Sequence, residues 1–236
     1  MLVTVRDLRK NYGEKEALKS ISFNIDEGEI YGLIGPNGAG KSTTLRILAT
    51  LLKPTSGEVY IDNINVAEEP EKVRKIISYL PEEAGAYPNM TGIEYLKYIA
   101  KIYGVDESFI EVGKEISGLG DALKDKIKTY SKGMKRRLQV ARTLMVKPKL
   151  AILDEPTNGI DVLYSLQLRR SIKDFSKVKR ITIILSSHNM LEVENLCDRV
   201  SFLYDGRLIV EGTPEEIKEK YDAKNLEEAF VRAVGI

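Results

Sequence analysis

Residues 35–43 read GPNGAGKST. They directly follow the apolar run IYGLI at 30–34 and lead into KSTTLRILATLL at 41–52, which has the apolar spacing of a helix. A G-x-x-x-x-G-K-[ST] match between a strand and a helix is the context in which that motif works. Its glycines let successive backbone N–H groups turn inward around an anion, and the helix start adds positive potential. The pattern predicts that Asn37, Gly38, Ala39, Gly40, Lys41, Ser42 and Thr43 cradle a chain of phosphates. Lys41 would face the β- and γ-phosphates, and the Ser42 hydroxyl suits Mg²⁺. The same stretch decides the fold class, because strand, tight loop and helix in that order begin an α/β domain.

Outward from there, the periodicity changes character twice. MLVTVRDL and ALKSISFNIDEGE alternate as half-buried strands do, and GEVYIDNINV alternates like a strand at a sheet edge. From about 83 to 142 the spacing is helical. TGIEYLKYIAKIYG predicts one apolar face from Ile93, Leu96, Ile99 and Tyr103, with Thr91 as N-cap. LAILDEP and ITIILSS are then near-continuous apolar runs, as parallel strands covered on both faces require. VSFLYDGRLIVEG predicts a hairpin turning at Asp205-Gly206. The expected architecture is an α/β P-loop core with an antiparallel β subdomain. A helical subdomain is inserted at about 83–142, and a helical tail follows at about 213–236.

Composition narrows the function classes. The chain has 236 residues, 43% hydrophobic and 30% charged, with a net charge of +1. That is enough chain for a substantial core, and the charge balance gives no field favouring nucleic acid or an anionic membrane. One cysteine and one histidine build neither an intrachain disulfide nor a usual zinc site. The start of the chain does not read as a signal peptide, and no apolar stretch is long enough to span a membrane. The expectation is a cytoplasmic protein, peripheral if it works at a membrane.

Two further stretches carry chemistry. LAILDEP delivers Asp154 at the carboxyl end of a buried strand, where α/β sheets bind ligands. Asp154 can hold Mg²⁺, and the adjacent Glu155 can polarise an attacking water. YSKGMKRRLQVARTLM, at 130–145, admits two readings. It is either a helix capped by Ser131 with a solvated basic face, over a stripe of Leu138, Ala141 and Met145, or a second anion-binding helix start using Ser131 and Gly133. A nucleic-acid patch is disfavoured, because no aromatics are interleaved with the basic residues.

Together and in this order, these elements resemble the ATP-binding-cassette (ABC) ATPases over nearly the whole chain. Ser131-Lys132-Gly133-Met134 is similar to the family's signature, usually Leu-Ser-Gly-Gly-Gln. Tyr12 falls where an aromatic residue stacks on adenine, Glu82 falls at the Q-loop glutamine, and Asn158 to Asp161 falls at the D-loop. His188, the lone histidine, falls at the switch histidine that contacts the γ-phosphate. The stretches YSKGM, LPEE, GTPEEI and NLEEAF resemble the branch that energises drug and antibiotic exporters.

The resemblance implies an ATPase with Glu155 and His188 as catalytic residues and Ser42, Glu82 and Asp154 on Mg²⁺. It implies a head-to-tail dimer, with itself or a paralogous ATPase, around two ATP molecules. Tyr12, the P-loop, Ser131, Gly133 and Asp161 would contact nucleotide. It further implies a separate transmembrane permease subunit, received in a groove beside the helical insertion. A soluble ATP-dependent switch without transport is the alternative from the same family.

Overall fold

Alternating and continuous apolar runs sort into two sheets in the computed structural model, which describes residues 1–235. Strands β1 (Val3–Tyr12) and β2 (Lys15–Ile25) form an antiparallel pair. The short β3 (Ile30–Ile34), buried along its whole length, then runs into α1 (Lys41–Leu48) through the glycine-rich loop. Helix α1 ends earlier than its apolar spacing suggested. The chain leaves the helix at Ala49, and Thr50 turns it with a φ of 62°.

The stretch expected as one edge strand is two. β4 (Ser56–Ile61) and β5 (Ile64–Asn65) are separated by Asp62 and Asn63, both in the left-handed region. The antiparallel sheet has the order β2-β1-β4-β5, so β4 is interior, and of these two strands β5 lies at an edge. Asp and Asn tolerate left-handed backbone, and two in succession make the hairpin turn that the alternation alone did not reveal.

Helix α2 (Pro70–Arg74) precedes β6 (Ile77–Leu80), and three longer helices follow: α3 (Gly92–Tyr103), α4 (Ser108–Ser117) and α5 (Lys132–Met145). Thr91 caps α3 in a full capping box with Glu94. The buried face of α3 is rotated from the expected one. Tyr95, Leu96, Ile99 and Ala100 are buried, Ile93 is half-buried, and Tyr103 is 38% exposed. These helices enclose an apolar core of their own, with Ile110, Leu123, Tyr130, Leu138 and Met145.

Helix α5 also faces the main sheet, burying Val140, Ala141 and Leu144 there. Its basic residues do not form a wholly solvated face. Arg136 is 4% exposed and Arg137 7%. The guanidinium of Arg137 reaches the Ser117 and Gly118 carbonyls at the end of α4 and lies over the Tyr164 ring.

The remaining strands and helices complete the core. They are β7 (Leu150–Asp154), α6 (Val162–Lys179), β8 (Thr182–Ser187), α7 (Met190–Leu196), β9 (Arg199–Tyr204) and β10 (Arg207–Gly212). The second sheet has the order β10-β9-β3-β8-β7-β6, parallel except for the β9–β10 hairpin. That hairpin turns at Asp205 and Gly206, both with positive φ, as a two-residue turn between twisted strands needs. Helices α8 (Pro214–Lys220) and α9 (Leu226–Val234) close the chain, and the end of the expected tail, Ile236, lies outside the described residues.

The register positions the site. β8 lies between β3 and β7, with Ser187 opposite Ile34 and Ser186 opposite Asp154. The loops after β3, β7 and β8 therefore leave the sheet side by side at its carboxyl edge.

Candidate functional site

The glycine-rich loop is shaped by contacts that only glycine permits. Gly40 has a φ of 112°, and a Cβ there would sit 2.6 Å from a Leu18 methyl and 2.9 Å from the Ala17 carbonyl. At Gly35 a Cβ would sit 2.1 Å from the Leu203 carbonyl oxygen. The loop leads into α1 with no side-chain cap. The first N–H groups of α1 are thus left for an external acceptor.

A cleft of about 610 Å³ opens over this helix start, lined by Tyr12, Pro36, Asn37, Gly38, Gly40, Lys41, Ser42, Thr43, Glu82 and Glu155, with Lys15 and Ala17 at its side. Tyr12 keeps 45% of its surface exposed, and the Lys10 ammonium lies over its ring, 5.2 Å from the centroid. Ala39, expected in this group, does not line the cleft. It is buried at 3% exposure, and its N–H donates to the Pro36 carbonyl at 3.2 Å.

Lys41 crosses the floor of the loop. Its ammonium donates to the Gly35 carbonyl at 2.6 Å and the Pro36 carbonyl at 3.2 Å, and lies 3.8 Å from Glu155 Oε1. Burial lowers its pKa from the ordinary lysine value, and the carboxylates of Glu155, Asp154 and Glu82 oppose that shift. The other Glu155 oxygen lies 3.0 Å from His188 Nδ1. So the lone histidine stands beside the acid predicted to activate water, with 56% of its side chain exposed.

Asp154 is 1% exposed. Its Oδ1 accepts from the Ser42 hydroxyl at 3.2 Å and the Ser186 hydroxyl at 2.6 Å, while Oδ2 is buried without a hydrogen-bond partner. A buried carboxylate oxygen with an open valence, next to a serine hydroxyl, is a donor set suited to a hard cation. Among the described residues no three His, Cys, Asp or Glu side chains group as a metal site, so such a cation would also need ligands from a bound phosphate. Ser186, which also receives the Glu155 N–H at 3.1 Å, was not singled out from the sequence. Its signal was a pair of serines ending an otherwise apolar strand.

The second group of expected residues lies outside the cleft. Ser131 caps α5, accepting the Met134 N–H at 3.1 Å, and its own hydroxyl hydrogen remains available to donate. Gly133 packs against the loop at 159–160, and Asp161 caps α6 by accepting the Tyr164 N–H at 3.2 Å. Glu82 does reach the cleft, and receives Asn158 Nδ2 at 3.4 Å. The structure therefore assembles Tyr12, the loop, Glu82, Asp154, Glu155 and His188 into one place, and leaves Ser131, Gly133 and Asp161 at another.

The molecule thus pairs a P-loop cleft, a strand-end acid pair and a histidine with a second, capped helix start. The family profile described as ABC transporter matches residues 18–158. This chain belongs to the ABC transporter ATP-binding family. It is an ATP hydrolase of that family, of the kind that serves transporters. It is 40% identical to the lantibiotic transport ATP-binding protein SrtF of Streptococcus pyogenes over 229 residues, covering 97% of this chain and 96% of the relative. It is 39% identical to the bacitracin transport ATP-binding protein BcrA of Bacillus licheniformis over 220 residues, or 93% and 72% of the two chains.

Among solved structures, an ATP-binding subunit of an ABC transporter superposes with a TM-score of 0.87 at 31% identity, covering 99% of this chain and 100% of the other. A dimeric cassette in a post-hydrolysis state with ADP and Pi superposes at 0.81 and 27% identity, covering 90% and 98%. Among the described residues of the ABC ATPase chain itself, no helix is long and apolar enough to cross a membrane.

Proposed function

We propose that this chain is the cytoplasmic motor of an exporter, closing as a head-to-tail dimer on two Mg-ATP and opening after hydrolysis. The observation that carries the catalytic reading is Glu155, whose two oxygens face Lys41 and His188. Asn37, Gly38, Gly40, Lys41, Ser42 and Thr43 receive the phosphates, and Tyr12 stacks on the base. When phosphates draw Lys41 toward themselves, Glu155 is released from its 3.8 Å partner and is free to accept a proton from water. His188 then holds the γ-phosphate and that water in line. Ser42, Asp154 and Glu82 hold Mg²⁺, which neutralises charge on the phosphates. Ser131, Gly133 and Asp161 act across the dimer on the partner's nucleotide, which accounts for their distance from the cleft of their own chain.

The membrane partner is a separate permease, and the helical segment at 83–142 helps to receive it. A groove between that segment and the core is lined by Leu51, Ile77, Tyr79, Ile102 and Tyr103, with Arg74 and Lys75 on its rim. Leu51 and Ile102 are each 59% exposed, which suits the apolar face of a partner helix carrying an acid. The relatives named for lantibiotic and bacitracin transport support an antibiotic-like cargo. The test is Glu155→Gln. It should keep ATP affinity, lose at least about a hundredfold in kcat, and accumulate as an ATP-bound dimer by light scattering while the wild type stays mostly monomeric. A fully active variant would overturn the role given to Glu155. Recovery in the soluble fraction alone, with a candidate permease co-expressed, would favour the soluble switch.

A further inference from the structure

The loops that carry Glu82 and Glu155 follow different strands, β6 and β7, and one buried side chain reaches both. Arg136 of α5 donates through Nε to the Pro156 carbonyl at 3.2 Å. One terminal nitrogen donates to the carbonyls of Pro81 at 2.8 Å and Glu82 at 3.1 Å. The other donates to the carbonyls of Asp154 and, at 2.7 Å, Glu155. A guanidinium has five N–H donors in a rigid plane, and here they meet five backbone carbonyls. None is spent on a carboxylate. Burial pushes the Arg136 pKa down to about 10, against the opposing pull of Asp154 and Glu82, so the group stays charged at neutral pH.

What it holds is strained. Glu155 has a φ of 50°, an uncommon conformation for a side chain of its kind, which persists only where its surroundings enforce it. Its N–H is held from one side by the Ser186 carbonyl at 3.2 Å and hydroxyl at 3.1 Å, and its carbonyl from the other by Arg136. Arg136 does not line the P-loop cleft. Its contacts act on the backbone that carries Glu82, Asp154 and Glu155, and none reaches the glycine-rich loop itself.

We propose that Arg136 is a positioning residue, which fastens the Glu82 loop and the strained Glu155 to helix α5 so that all three move as one unit. The functional consequence rests on the reading of Glu155 as the group that activates water. Loss of the clamp loosens both loops together, leaving the Glu82 loop tied to α5 through the Gln139 amide on the Ala84 carbonyl and the Glu155 N–H held by Ser186, and lets the Glu155 carboxylate wander while nucleotide is still bound. A lysine at 136 keeps the charge but offers three donors from a point and cannot span both loops in one plane.

The experiment uses the full chain with Arg136→Gln and Arg136→Lys, in two measurements. The first is amide hydrogen exchange without nucleotide. In Arg136→Gln the amides at 82–84 and at 157–159 should gain exchange together, by about tenfold or more, while those of β3 and β8 keep their protection. Faster exchange in only one loop, or no change in either, would overturn the clamp. The second is steady-state ATP hydrolysis. kcat should fall about tenfold or more with KM within about twofold, and Arg136→Lys should recover part of it. A loss confined to KM, or one that matches the unfolded fraction in a thermal melt, would overturn the positioning role. If Arg136→Gln does not fold, Arg136→Lys carries both measurements. Because the exchange measurement contains no nucleotide, it stands or falls separately from the role of Glu155, which Glu155→Gln tests.

Discussion

The Lys41 side chain is 6% exposed, and its ammonium lies 3.8 Å from the Glu155 carboxylate. Burial lowers its pKa from 10.5, and this has a measurable sign. In the nucleotide-free protein the folded pKa lies below the unfolded one, so the unfolded chain binds more protons between the two values. Stability from this group therefore rises with pH across that alkaline window and is penalised below it. A bound triphosphate reverses the balance by placing negative charge against the ammonium, which raises the pKa again. ATP binding at alkaline pH should then be accompanied by uptake of up to about one proton, and affinity should fall as pH climbs past the lowered pKa. Calorimetric titrations in two buffers of different ionisation enthalpy measure this directly. Lys41→Met should abolish the uptake along with most of the affinity. Binding heats in the alkaline range that do not depend on the buffer would mean that Lys41 does not face the phosphates.

At the scale of elements, the helical segment and the α/β core have separate apolar clusters, and α5 contributes to both. Leu96 is fully buried in the helical cluster, where its methyls approach Gly113 of α4. Leu96→Ala should cost about 2–5 kcal/mol, and the loss should be local. Exchange of amides in α3 and α4 should accelerate while β3, β7 and β8 stay protected. Equal acceleration everywhere would make the chain one cooperative unit. The same elements show what the sequence can express. The runs that became β3, β7 and β8 were legible because parallel strands buried on both faces admit little but apolar residues, and their ends carry the glycine loop, the acid pair and His188. Periodicity failed where long or turn-prone side chains broke its assumption. Arg136 and Arg137 look polar on a helical wheel, yet their stems carry the charge inward to carbonyls. Asp62 and Asn63 look like exposed strand positions, yet both take left-handed backbone and split β4 from β5. The strain at Glu155 and the grip of Ser186 on it arise from tertiary register, which no local pattern encodes.

At the scale of the whole molecule, the two groups of expected residues are apart within one chain, and the proposed head-to-tail dimer is what would bring them to the same nucleotide. Gly133 separates that interface from the fold of the monomer. A Cβ there would lie 3.6 Å from the Gly159 carbonyl oxygen and 3.7 Å from Ile160 Cα, ordinary contact distances, and its φ is not left-handed. Gly133→Ala should therefore fold as well as the wild type. Gly133→Asp should fold too, because an acid in the first turn of a helix interacts favourably with the helix dipole. Both variants should bind ATP normally as monomers, since the P-loop is untouched. Across a dimer the outcomes diverge. The aspartate would face the partner's γ-phosphate, where like-charge contact costs several kcal/mol, so ATP-driven dimerisation in the Glu155→Gln background should weaken by about a hundredfold or more. Alanine, uncharged and one methyl larger, should weaken it far less. Light scattering or sedimentation with Mg-ATP reads both variants against the parent. Dimerisation of Gly133→Asp at parental strength would leave Ser131 and Gly133 as nothing more than the capped start of α5, and the shared nucleotide site would have to be abandoned.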